Sequence, residues 1–183
     1  MKAALKFPLY AALAAVGLVA VAFVAFWLWM RWEYHLPSDK AARQQFVRHQ
    51  ADYVRFVSLI QREPGAKMIS GNGDVDPYTN RARHEPEYAD LIHKISAKSV
   101  RVREDGSIEF ELWGFGCAPC RDSFKGIRYF SPSSQSQATV GWPPKLVTSL
   151  DDANLPKDRG AVADGLYVVP LSGEWSIYRL EID

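Results

Sequence analysis

Cys117 and Cys120, in the stretch Gly116-Cys117-Ala118-Pro119-Cys120-Arg121, are the only two thiols of the 183-residue chain. A dithiol at this spacing can close a small disulfide loop, pass electrons by thiol–disulfide exchange, or supply half of a metal site completed by another chain. A four-thiolate site within the chain is excluded, because no further cysteine exists. The histidines are His35, His49, His84 and His93, and they form neither His-Glu-x-x-His nor a pair spaced for a zinc site. Asn72, Asp74 and Asp76 have the spacing of the first ligands of a calcium loop. Pro77 then stands where such a loop needs Gly and Arg83 where it needs Glu, so the stretch reads as a turn. There is no Gly-x-Ser-x-Gly, no P-loop and no Gly-x-Gly-x-x-Gly. The residues therefore nominate no catalytic group outside the two cysteines, and no cofactor or metal is expected.

Aromatic residues crowd the same part of the chain. Most of Trp113, Trp175, Phe124, Tyr129, Tyr167 and Tyr178 fit a sheet core with cross-strand ring pairs. Three are candidates for a sharper role. Trp142 in Gly-Trp-Pro-Pro, Phe115 between two glycines, and Trp113 beside it could be anchors for a protein partner, since buried aromatic rings carry much of the energy of protein interfaces.

Trp113, Cys117, Pro119, Cys120 and Arg121 stand in the order Trp-x-x-x-Cys-x-Pro-Cys-Arg. This resembles the active-site segment of the thioredoxin family, over about nine residues of the chain. The resemblance implies that Cys117 would be the attacking thiolate and Cys120 the resolving thiol of a membrane-tethered thiol–disulfide oxidoreductase. The competing reading of the same residues is a structural disulfide, and it is the leading one.

The compartment decides between those chemistries, and the N-terminus bears on it. Residues 9–30, Leu-Tyr-Ala-Ala-Leu-Ala-Ala-Val-Gly-Leu-Val-Ala-Val-Ala-Phe-Val-Ala-Phe-Trp-Leu-Trp-Met, carry no charge. As a helix this run is about 33 Å long, enough for a bilayer core of about 30 Å. Lys2 and Lys6 precede it, and Trp27, Trp29, Trp32 and Tyr34 gather at its far end, where amphipathic rings favour the interface. The apolar run exceeds the core of about 7–15 residues found in cleaved signal peptides. The expectation is an uncleaved signal-anchor in the cell inner membrane: 1–8 cytoplasmic, 9–30 transmembrane, 31–37 linker, and 38–183 an extracytoplasmic, periplasmic domain. Disulfides persist in that compartment.

The elements that must position these residues follow from periodicity. Ser38-Asp39 opens an amphipathic helix that ends before Pro64-Gly65, with Phe46, Tyr53, Val57 and Ile60, and Val47 and Val54 beside them, on its apolar face. Residues 65–85 read as a loop, dense in Gly, Asn and Asp. A short helix spans 86–97, with Tyr88, Leu91, Ile92 and Ile95 inward. From 99 the period becomes two, with Asp105-Gly106 at a reversal. Further strands are predicted at 126–131, at 145–150 and in a hairpin around Ser172-Gly173, while Pro170 marks an edge or bulge. Residues 131–139 are a polar loop. The sum is an α+β domain with one long helix, one short helix and an antiparallel sheet of four to six strands.

Charge narrows the partners. Basic and acidic side chains number 22 and 21, and removing Lys2 and Lys6 leaves 20 against 21. Without a strong basic excess, nucleic acid is not expected as a partner. The function expected from the sequence is a single-pass, membrane-anchored protein-binding module, such as an accessory subunit of an envelope complex or an inhibitor or immunity protein.

Overall fold

In the computed structural model, residues 16–28, 36–62, 65–77, 83–115, 122–130, 144–151, 154–158 and 161–182 are described. The chain divides into two compact units, Met1–His35 and Leu36–Asp183. The first contributes a helix over 16–28, α1, all of whose side chains are exposed. Among the described residues no helix is long and apolar enough to cross a membrane; α1 is the described part of the predicted 9–30 run.

The second unit is α+β, with a mixed sheet. Helix α2 (Asp39–Gln61) starts where Ser38 Oγ accepts the Ala41 amide at 3.3 Å, an N-cap that satisfies one of the first turn's free donors. Strands β1 (Ala66–Ser70), β2 (Asp74–Pro77) and β3 (Arg83–His84) follow, then helix α3 (Pro86–Ile95), with Pro86 in its first turn where a missing N–H costs nothing. Then come β4 (Ser99–Val102), β5 (Ile108–Phe115), β6 (Asp122–Tyr129), β7 (Lys145–Leu146), β8 (Lys157–Asp158), β9 (Ala161–Val162), β10 (Gly165–Ser172) and β11 (Trp175–Ile182). Among the described residues the main sheet has nine strands in the order β3-β2-β1-β4-β5-β6-β11-β10-β7, and β8 and β9 form a small sheet of their own.

Two expectations are corrected. The sheet has nine strands rather than four to six, and it is mixed, because β7 runs parallel to β10 while the other pairs are antiparallel. The stretch read as a loop over 65–85 holds the β1–β2 hairpin and β3. These strands run from two to five residues, too short to show a period, and their turn residues dominate the local composition. Pro170 behaves as predicted: among the described residues β7 meets β10 only at Tyr167 and Val168, and the pairing with β11 shifts register between Pro170 and Ser172.

Both helices cover one face of the sheet. Residues of α2 (Phe46, Tyr53, Phe56) and α3 (Tyr88, Leu91, Ile92) share one core with Ile69, Val100, Phe110, Ile127, Trp175 and Ile177 from the strands. Its centre is aromatic. Tyr53 meets Phe110 edge-on at 5.0 Å, Phe46 lies 5.1 Å from Trp175, and Tyr129 5.0 Å from Trp175. Val47 and Val54, expected beside this core, point outward. Each lies one residue past a buried aromatic, Phe46 or Tyr53, which turns it about 100° round the helix. Alternate strand residues face the other way, where Leu166, Val168, Tyr178 and Leu180 form a second buried cluster with Phe124 and Phe130 against it.

Candidate functional site

The segment carrying both cysteines joins β5 to β6. These two strands stay paired to their shared end, with Phe115 opposite Ser123. Cys117 and Cys120 themselves lie outside the described residues, as do Trp142 and the loop 131–139; of Phe115 only the backbone is described. The flanks are informative nonetheless. Asp122 already begins β6, two residues after Cys120. A thioredoxin-type dithiol is followed directly by a long helix, whose N-terminus lowers the thiol pKa. Here a strand takes that place. Trp113 sits on β5 opposite Lys125, half-buried against the main core.

A polar cluster underlies this end of the sheet, on the helix side. Lys125 is 1% exposed, and its ammonium donates to Pro37 O at 2.7 Å and Asp39 Oδ1 at 2.7 Å. Asp39 Oδ2 in turn accepts the Leu150 amide at 2.8 Å. Burial alone would raise the Asp39 pKa, but the bonds from Lys125 and from the Leu150 amide outweigh it and hold the carboxyl below its usual 3.8. Arg179 donates to Glu181 at 2.5 Å and to Leu150 O at 2.9 Å, and Ser123 Oγ donates to Glu181 Oε2 at 2.6 Å. The charges match in pairs and the hydrogen bonds are short. The chemistry available is structural: the cluster ties the start of α2 and the Leu150 turn to β6 and β11. Ser123 is buried, and its nearest base, Glu181, is already committed to Arg179, so the pair lacks what a nucleophile needs.

The opposite face holds a second cluster. Arg128, 2% exposed, donates to Asp105 Oδ2 at 3.1 Å and Ser107 Oγ at 2.7 Å, and stands 3.2 Å from Glu109. Arg103 donates to Glu109 Oε2 at 2.8 Å, and the guanidinium carbon of Arg128 lies 4.6 Å from the centre of the Phe130 ring. Desolvation lowers the Arg128 pKa, opposed by Glu109 and Asp105. Next to it, burial pushes Tyr178 well above its ordinary range, and Glu109 and Glu111 add to that. This network locks the β4–β5 reversal onto β6.

His35 lies outside the described residues, and the described histidines make no bond to either cluster. His84 Nδ1 is 3.1 Å from Asp74, whose other oxygen accepts from Asn72 at 2.8 Å; Ser70 Oγ donates to Asn72. His49 Nδ1 is 3.3 Å from Asp52. Of the Asn72–Asp76 stretch, Asn72 and Gly73 lie in the β1–β2 turn while Asp74 and Asp76 belong to β2, and Asn72 bonds both the side chain and the amide of Asp74. Among the described residues no three His, Cys, Asp or Glu side chains converge as a metal site would require. Sequence reasoning passed over Lys125, Arg128 and Arg179; each sits within an alternating strand at a position facing a buried side, which was the only signal available.

Leu146, on the short edge strand β7 and four residues beyond Trp142, is 76% exposed, the most exposed large apolar side chain among the described residues. No family model, no curated protein and no solved structure matches this chain.

Proposed function

We infer that this protein is a single-pass membrane-anchored module whose domain, residues 38–183, binds another protein on the extracytoplasmic side. The observation that carries the reading is α1. Its large apolar side chains, from Val16 to Leu28, are 51 to 72% exposed, a continuous apolar cylinder beyond what water-exposed surfaces tolerate. Lipid is the solvent that accepts such a helix, with every backbone group bonded internally. Lys2 and Lys6 before the apolar run support a cytoplasmic N-terminus. A partner surface near Trp142 is supported by Leu146, an exposed apolar side chain close to it in sequence. Trp113 and Phe115 belong to the same proposal as candidate anchors.

The thiol–disulfide alternative draws only on the resemblance around Cys117 and Cys120, and a strand follows those cysteines where that chemistry uses a helix. Two assays on the purified chain separate the readings. Photo-crosslinkers placed at 142 and 146 should each capture one discrete partner, and Trp142→Ala should weaken that partner's affinity by about 2 kcal/mol. The Cys117→Ser, Cys120→Ser chain should bind it as well as the parent does. Turnover in a disulfide-reduction assay, abolished by the double substitution, would favour the oxidoreductase instead.

A further inference from the structure

We propose that the outward face of α2 is a docking surface for anionic lipid headgroups, so that the domain lies against the bilayer rather than swinging free of it. The proposal rests on the membrane-anchor reading. Every exposed charged side chain on α2 and at its C-cap is a cation: Lys40, Arg43, Arg48, Arg55 and Arg62. The two carboxylates of α2 are half-buried and committed, Asp39 to Lys125 and the Leu150 amide, Asp52 to His49. One exposed acid from elsewhere, Glu87, meets Arg55 at 2.7 Å, and among the described residues no carboxylate bonds the other four cations. Since acids slightly outnumber bases outside Lys2 and Lys6, this face concentrates positive charge on a domain that lacks an excess of it.

Two apolar side chains sit among the cations. Val47 is 67% and Val54 48% exposed, two turns apart on one stripe with Ala51 between them. Cations flanking a few small apolar groups suit an interface where charge is drawn to phosphate and the methyl groups reach the acyl boundary. The tether selects lipid over an acidic protein as occupant. Residues 31–38 separate the apolar run from α2 and reach at most about 28 Å when fully extended, while α2 itself is about 35 Å long. The bilayer is therefore always within reach of this face, at an effective concentration no free partner matches.

The test uses the full chain in lipid nanodiscs, in a Cys117→Ser, Cys120→Ser background. A fluorophore is placed through Ala51→Cys, or through Met68→Cys on the sheet face away from α2, and is quenched by lipids carrying a nitroxide on the headgroup. Discs contain phosphatidylcholine alone or mixed with phosphatidylglycerol. The proposal predicts quenching at 51 and none at 68, in the phosphatidylglycerol discs only. It predicts loss of that quenching at about 1 M salt, where the screening length is about 3 Å. Arg43→Gln and Arg48→Gln should each lower the docking equilibrium about fivefold. Equal signals at 51 and 68, or quenching at 51 that ignores lipid charge, overturn it. So does a fluorophore at 51 shielded by a co-purifying acidic protein and dark to headgroup nitroxide. A chain that survives an alkaline wash of the discs with 51 unquenched sinks this proposal alone. A chain that washes out of the discs sinks the anchor and this proposal together.

Discussion

Gly126 and Gly106 are required for different physical reasons, and a substitution at each reads out a different constraint. A Cβ on Gly126 would stand 1.9 Å from the carbonyl oxygen of Phe110 and 2.9 Å from the Tyr178 ring. The strands would have to part, so Gly126→Ala should cost about 3 kcal/mol by chemical denaturation. Gly106 meets nothing within 4 Å, but its φ is 76°. Gly106→Ala should cost about 1 kcal/mol through strain alone. The turn at Asp105-Gly106 is readable from the sequence. That Asp105 is buried under Arg128 is not, because the two lie 23 residues apart and meet only once β5 and β6 pair. Arg128→Met should destabilise by about 3–5 kcal/mol, since it strands Asp105 and Glu109 without their cation. Replacing those two by Asn and Gln in the same chain should recover part of the loss. Asp39 makes a pH prediction with a definite sign. Its folded pKa lies below the unfolded 3.8, so its contribution is complete above 3.8 and is lost as pH falls through the folded value. Asp39→Asn should remove that part of the acid-side decline, and at neutral pH it should destabilise the domain by leaving Lys125 buried without its counter-ion.

At the scale of elements, the two helices were legible because caps and periodicity agree. Ser38 caps α2, Pro86 opens α3, and both apolar stripes are long enough to count. Ser38→Ala should lower stability by about 1 kcal/mol, seen as a shifted denaturation midpoint with unchanged slope. The β4–β5 and β10–β11 hairpins were legible from alternation and turn residues. The turn of the second is Gly173-Glu174, since Ser172 still pairs with Trp175. The β1–β2 hairpin and the two-residue edge strand β3 were not legible, because a strand of two to five residues is fixed by its neighbours' free backbone groups rather than by its own pattern; β7 falls inside the strand expected at 145–150 but covers only its first two residues. Val47 and Val54 show the same limit for a helix: an apolar residue beside a stripe is inward or outward according to about 100° of rotation, and α2 departs from helical geometry at His49 (φ −117°, ψ 21°), within that stretch. The candidate site was the least legible part. Its buried lysine and arginines look, residue by residue, like solvated strand positions.

For the whole molecule, the division at His35 separates an apolar helix from a domain with its own aromatic core. The core is closed by α2 and α3, so a chain beginning at Pro37 should stay soluble and unfold in one cooperative transition followed by circular dichroism. The central claim is that the helix holds this domain to a membrane with the domain outside the cytoplasm. The most direct measurement is protease accessibility in intact spheroplasts, read on chains that remain in the membrane pellet after an alkaline carbonate wash. The account predicts that the full chain pellets, and that added protease removes the domain from unbroken cells while an N-terminal fragment stays in the bilayer. A chain that the wash releases, or a domain protected until the cells are lysed, would contradict it.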